Sequence, residues 1–80
     1  MFIVYVLYAK SYNKIYIGFT SNLEQRFLSH NQLAIKGWTI KFRPWEIIHT
    51  ETFMQKSDAL KREKELKSAK GREFIWNIIR

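Results

Sequence analysis

The chain has no cysteine, one proline and three glycines among its eighty residues. Without cysteine there is no disulfide framework and no thiolate metal site, which agrees with a reducing, cytoplasmic setting. So little proline and glycine leaves no linker, and the sequence carries no repeat or low-complexity tract. Acid is scarce too: seven Asp and Glu stand against fourteen Lys and Arg, a formal net charge of +7. On a domain this small, that field favours polyanionic partners such as DNA, RNA or anionic lipid, with solubility as the plain alternative. Long apolar runs are also missing. The N-terminal stretch from Met1 to Tyr8 is about half the length a membrane-spanning helix needs. It lacks a positively charged start and a small-residue cleavage site, so neither a membrane partner nor a targeting segment is expected.

What is present is aromatic. Three Trp, four Tyr and six Phe supply much apolar area to the thin core of one small domain spanning residues 1–80. Residues 2–9 are rich in Val, Ile, Phe and Tyr and apolar on both sides, as in a central strand. A polar turn over 10–14 leads to a returning strand over 15–20, where Gly18 suggests a bulge or a close approach by another backbone. Ser21-Asn22-Leu23-Glu24 reads as a capping box opening a helix to about His30 or Asn31. Residues 32–44 are irregular and basic, and a strand resumes over 45–52. Ser57 is expected to cap a helix over 58–69. Gly71 then breaks it before a terminal helix over 72–79 whose Phe74, Ile75, Ile78 and Ile79 face inward. The order β-β-α-β-α-α predicts an α+β fold, a small three-stranded, mainly antiparallel sheet with flanking helices.

Chemistry concentrates in a few places. Tyr5, Tyr16, Arg26 and His30 are residue types that handle protons or phosphate charge, and the strand–turn–strand–helix layout brings them toward one surface. Arg26 and His30 share a helix ridge at i, i+4 with Asn22. On the second helix Ala59, Leu60 and Leu66 define the buried stripe, and Glu63 falls near its middle. A carboxylate there needs a partner. It is either an edge residue bridged to Lys or Arg, or a hard oxygen ligand for Mg²⁺, and the company of Tyr5, Tyr16, Arg26 and His30 favours the ligand. Mg²⁺ takes one or two protein carboxylates and completes its shell with water and phosphate.

These residues carry a resemblance. The chain resembles the GIY-YIG nuclease superfamily, above all its small stand-alone bacterial members. Tyr16-Ile17-Gly18 keeps the second half of the name motif, and Ile3-Val4-Tyr5 keeps the tyrosine of the first half without its glycine. The likeness runs on through Thr20 to Arg26, His30-Asn31, Arg43-Pro44-Trp45-Glu46 and Ser57 to Lys67. It implies the fold already expected and cleavage of DNA phosphodiesters with one divalent metal, Mg²⁺ or Mn²⁺, per active site. It implies further that Tyr5 and Tyr16 are the paired active-site tyrosines, Arg26 the phosphate clamp, and Glu63 the metal ligand. His30 fills a place held by His or Tyr in other members, and Asn77 aligns weakly with a C-terminal Asn that some members use.

As chemistry, Tyr5 is the candidate general base. A free tyrosine titrates near about pH 10, so cationic neighbours such as Arg26 must lower it. Tyr16 or His30 would relay or orient the proton. Lys10 and Lys14 in the hairpin turn, and Lys36, Lys41 and Arg43 in the irregular loop, are candidate nucleic-acid contacts. Trp38 and Phe42, interleaved with them, either stack bases or close the core. The leading reading is a metal-dependent DNA endonuclease of repair or recombination that selects branched or single-stranded structures. Larger relatives add separate recognition domains, so a protein partner or a homodimer would supply further selectivity. The alternative reading is a binding module of the same fold that does not cut.

Overall fold

The computed structural model describes residues 1–33 and 37–80. Lys36 therefore lies outside the described residues, as does the side chain of Trp38. Strand β1 (Phe2–Ala9) is the centre of a three-stranded antiparallel sheet, flanked by β2 (Lys14–Thr20) and β3 (Glu46–Phe53) in the order β2-β1-β3. A tight turn over Lys10–Tyr12 closes the β1–β2 hairpin. Asn13 takes the left-handed conformation (φ 53°) that its short polar side chain tolerates. The register sets Tyr5 opposite Gly18 and Leu7 opposite Tyr16, and the sheet's irregularity falls between Val6 and Leu7 in the β1–β3 pairing. The expected bulge at Gly18 is thus absent.

Central position explains why β1 is apolar on both sides. Val4 and Val6 join Ile17, Ala59, Leu66 and Ile75 in a core on one face, under helices α2 (Lys56–Leu66) and α3 (Ala69–Ile79). Tyr5, Leu7, Ala9 and Trp45 form a core on the other, closed by Leu23, Phe27 and Phe42. Leu23 and Phe27 come from the short helix α1 (Leu23–Leu28). Phe42 belongs to a 3₁₀ turn over Trp38–Phe42, so it takes the core-closing role.

Several boundaries differ from the sequence reading. Helix α1 is capped by Asn22, whose Oδ1 accepts from Gln25 N at 3.1 Å, one position later than the expected Ser21. The Thr20 hydroxyl causes the shift: it accepts from Asn22 N at 3.0 Å and donates to Asn22 O at 3.2 Å, fixing Asn22 as the last extended residue. Helix α2 begins at Lys56 without a side-chain cap from Ser57. Leu60 is 41% exposed, so the buried stripe reduces to Ala59 and Leu66. The break between α2 and α3 is at Lys67 and Ser68, where Ser68 Oγ accepts from Gly71 N and places Gly71 inside the first turn of α3. With that start, Ile75 and Ile79 make the inward ridge at i, i+4, while Phe74 and Ile78 stay exposed. Phe74 lies beneath the Arg62 guanidinium at 5.8 Å and meets the His49 ring edge-on.

Arg62 also grips Glu51 with two hydrogen bonds, of 2.8 and 3.0 Å, tying α2 to the edge strand β3. That bond, joined by one from His49, holds the Glu51 carboxyl below its ordinary range. No helix among the described residues is long and apolar enough to cross a membrane.

Gly71 is where the two helices come together. A Cβ there would run into the backbone of Glu65 and Leu66 at the end of α2. A helical Gly→Ala change ordinarily gains about 1 kcal/mol. Here the sign reverses: Gly71→Ala is expected to cost about 1–3 kcal/mol through overpacking, read as a lower midpoint in urea unfolding with an unchanged slope.

Candidate active site

Tyr5 projects from the central strand into the second core, and its ring is fully buried. Its neighbour across the hairpin is Gly18, and the lack of a side chain there makes room for the phenol. A Cβ at position 18 would stand 2.7 Å from Tyr5 Oη and 2.9 Å from Cζ. The close approach expected at Gly18 is therefore by a side chain. Tyr16 stands two residues before Gly18 on the same strand face, and its ring centroid is 6.2 Å from that of Tyr5.

Arg26 and His30 reach this pair from the helix side in different ways. Arg26 is exposed, on the last turn of α1. Its guanidinium interacts with both tyrosines, and Tyr5 is the larger reason why its already high pKa rises further. His30 does not continue the same solvent ridge. After Leu28 the helix widens into a π-helical turn, Ser29–Leu33, a local form that recurs at functional sites. His30 there is 7% exposed. Its Nε2 lies 3.0 Å from Tyr5 Oη and its Nδ1 3.1 Å from Thr39 Oγ1. The Tyr16 ring packs at 4.7 Å from the imidazole.

Electrostatics here correct one expectation. Burial pushes Tyr5 up to about 12; the pull of Arg26 lowers it but does not win, and the Tyr16 and Glu63 charges add to the rise. Tyr5 is therefore a phenol at neutral pH in the free protein. His30 moves the other way. Burial, with the charges of Arg26 and Arg43 behind it, lowers its pKa, so its imidazole is neutral at pH 7.

The frame around His30 is built by residues that the sequence did not single out as a frame. Arg43, expected on nucleic acid, donates from Nε to His30 O at 2.6 Å and from Nη2 to Ser29 O at 3.1 Å. These bonds tie the loop to the carbonyls of the widened turn. Asn31 clamps the Trp45 backbone from both sides, accepting from its N at 2.6 Å and donating to its O at 2.9 Å. The buried Trp45 indole in turn donates to Thr39 O at 2.7 Å. Asn31 belongs to the quoted His30-Asn31 likeness, but its clamp on Trp45 has no local signal, and Thr39 carries none at all.

Glu63 is partly buried, its side chain 18% exposed, and it forms an ion pair with Lys67 at 3.6 Å. The bridged reading of Glu63 is thus realised in the free protein, while its charge is still felt at Tyr5. Among the described residues no group of three or more His, Asp or Glu gathers to hold a metal. One partly open carboxylate fits an ion that draws most of its ligands from water and phosphate.

Lys10, Lys14 and Lys41 are exposed, and Lys14 lies over the Phe42 ring at 5.7 Å. Asn77 is exposed on α3, the helix packed on the other face of the sheet, beside Lys70, Glu73 and Phe74.

The tight seat of Tyr5 yields a test. Gly18→Ala must push the buried phenol out of reach of His30. The expected result is a loss of about 1–3 kcal/mol in stability, with a changed His30 ring signal in NMR and an unchanged His49 signal.

A GIY-YIG catalytic-domain family model matches residues 1–76. A UPF0213 protein of Staphylococcus haemolyticus is 37% identical over 65 residues, covering 81% of this chain and 78% of the relative. UPF0213 proteins of Natronomonas pharaonis and Limosilactobacillus reuteri are each 40% identical, over 81% and 75% of this chain and 75% and 64% of their own lengths. No solved structure matches the chain. With the match spanning both tyrosines, Arg26, His30 and Glu63, the chain belongs to the GIY-YIG family, within the nuclease superfamily of that name.

Proposed function

We propose that the protein is a divalent-metal-dependent DNA endonuclease that hydrolyses phosphodiester bonds, choosing its substrate by structure, in repair or recombination. The observation that carries this reading is the exposed Arg26 guanidinium beside two tyrosines, one of which meets a buried neutral histidine at 3.0 Å. A planar cation at the surface suits the non-bridging oxygens of a phosphodiester. A phenol backed by a neutral imidazole suits removal of a proton from attacking water. Exposed Lys10, Lys14 and Lys41, within a net charge of +7, favour a nucleic-acid partner.

Glu63 would hold the metal, Mg²⁺ or Mn²⁺, releasing Lys67 to solvent. When bound, the metal supplies charge neutralisation at the scissile phosphate and the leaving oxygen. The chain's own residues do the rest. Arg26 binds and orients the phosphate. Tyr5 accepts the water proton as it passes its own to His30, and Tyr16 holds Arg26 and walls the imidazole. A domain with so small a surface reads shape more readily than sequence, so a partner protein or a second copy would add selectivity.

The test is cleavage of labelled single-stranded, duplex, flapped and branched DNA with Mg²⁺, Mn²⁺ or EDTA. Wild type is expected to cut with metal and to prefer a non-duplex structure. Arg26→Ala is expected to lose roughly a hundredfold or more in rate, and Glu63→Ala to abolish metal-dependent cutting. Salt-sensitive binding without cutting would replace this reading with a non-catalytic binding module.

The pH profile follows from His30. Its pKa in the fold lies below its ordinary value of 6.5, and the neutral form is the proton acceptor. The rate should therefore hold as pH falls to 6.5 and drop only below it. The stability contribution has the same sign. It is complete above the unfolded-chain pKa and lost as pH falls through the depressed folded one. An acid limb above pH 6.5 would exclude His30 as the acceptor.

A further inference from the structure

We infer that Thr39 is a positioning residue that fixes the tautomer of His30, making Tyr5–His30–Thr39 a directed proton chain; this rests on the nuclease reading above. The positive charge of Arg26 acts on the Tyr5 hydroxyl, and a cation draws the hydroxyl oxygen toward itself and turns the proton away. The Tyr5 proton then points at His30 Nε2, 3.0 Å away. Nε2 must then be the unprotonated nitrogen. In a neutral imidazole the proton is consequently on Nδ1, and it is donated to Thr39 Oγ1 at 3.1 Å. A threonine hydroxyl accepts such a bond without carrying charge, so it orders the ring without raising the basicity as a carboxylate would.

The burial of this chain makes the assignment matter. His30 and Thr39 are 7% and 8% exposed, so solvent does not compete for either ring nitrogen. Thr39 itself is held by the Trp45 indole on its carbonyl. With the opposite tautomer, Nε2–H would donate to the phenol and turn its proton toward the Arg26 charge, with no acceptor at His30. In the step itself, water oxygen bonds to phosphorus as the bond from phosphorus to the leaving oxygen breaks. The water proton goes to Tyr5 Oη, and the Tyr5 proton goes to His30 Nε2. The resulting imidazolium is stabilised by its Nδ1–H bond to Thr39, and the leaving oxygen takes a proton from solvent.

The test is long-range ¹H–¹⁵N NMR of the histidine rings above pH 7, on the whole protein, with His49 as internal reference. Wild type is expected to show the Nδ1–H tautomer at His30. The isosteric Thr39→Val should shift His30 toward Nε2–H and lower the cleavage rate by roughly tenfold to a hundredfold, with KM little changed, while Thr39→Ser restores both. Circular dichroism and thermal melting confirm that each variant is folded. An Nε2–H tautomer in wild type, or an unshifted tautomer in folded Thr39→Val, overturns the inference. The tautomer is read without catalysis, so a protein that fails to cut would overturn the nuclease reading while leaving this result to stand or fall alone.

Discussion

A phenol hydroxyl in the middle of a small sheet is the constraint around which the rest is arranged. Tyr5 is on the central strand with its ring fully buried, and an unsatisfied hydroxyl there would cost about 1–3 kcal/mol. The hydroxyl is reached from two directions, by His30 and by Arg26. Each contact demands something of the chain. Space for the ring demands no side chain at position 18. An imidazole on the inner side demands that the helix after Leu28 widen, since a regular continuation would keep residue 30 on the same ridge as the exposed Arg26.

The segment after Gly37 is tied onto that widened turn. Arg43 covers Ser29 and His30, Asn31 and Trp45 exchange two hydrogen bonds, and Trp45 carries Thr39 to the imidazole. A segment whose one regular element is a 3₁₀ turn thus becomes a wall of the candidate site. The cores on the two faces of the sheet differ in kind. Under α2 and α3 the core is aliphatic, with Val4, Val6, Ile17, Leu66 and Ile75. On the other face the core is aromatic and threaded with polar contacts, as Tyr5, Tyr16, Trp45 and Phe42 with His30 and Thr39.

The sequence was most legible where periodicity and cap chemistry speak. The central strand, the hairpin, the order of elements and the set Tyr5, Tyr16, Arg26 and His30 could all be read from it. It was less legible where one residue's environment depends on a distant one. Gly18 reads locally as a bulge, because the phenol it accommodates comes from the partner strand. Gly71 reads as a breaker, because its need to be glycine comes from the end of α2. Arg43 sits in a basic loop and so reads as a phosphate contact, yet its donors meet carbonyls thirteen and fourteen residues back. Thr39 has no local signature, and its meaning arises only when the loop folds over the helix end.

The buried position of Tyr5 also narrows what its chemistry can be. A base that waits as a phenolate needs a pKa near the working pH, and burial has driven this one to about 12 against the pull of Arg26. The same burial keeps His30 neutral. Both effects have one cause, a low-dielectric pocket that disfavours charge on either partner. A pair in which neither group holds charge at rest exchanges a proton well only when gain and loss are simultaneous, because a stepwise transfer would pass through a charged intermediate that the pocket disfavours. In the proposed reaction a phosphodiester bound at Arg26 would bring the negative charge that favours an imidazolium at His30. The proposed site is thus quiet without substrate and depends on substrate to complete its electrostatics.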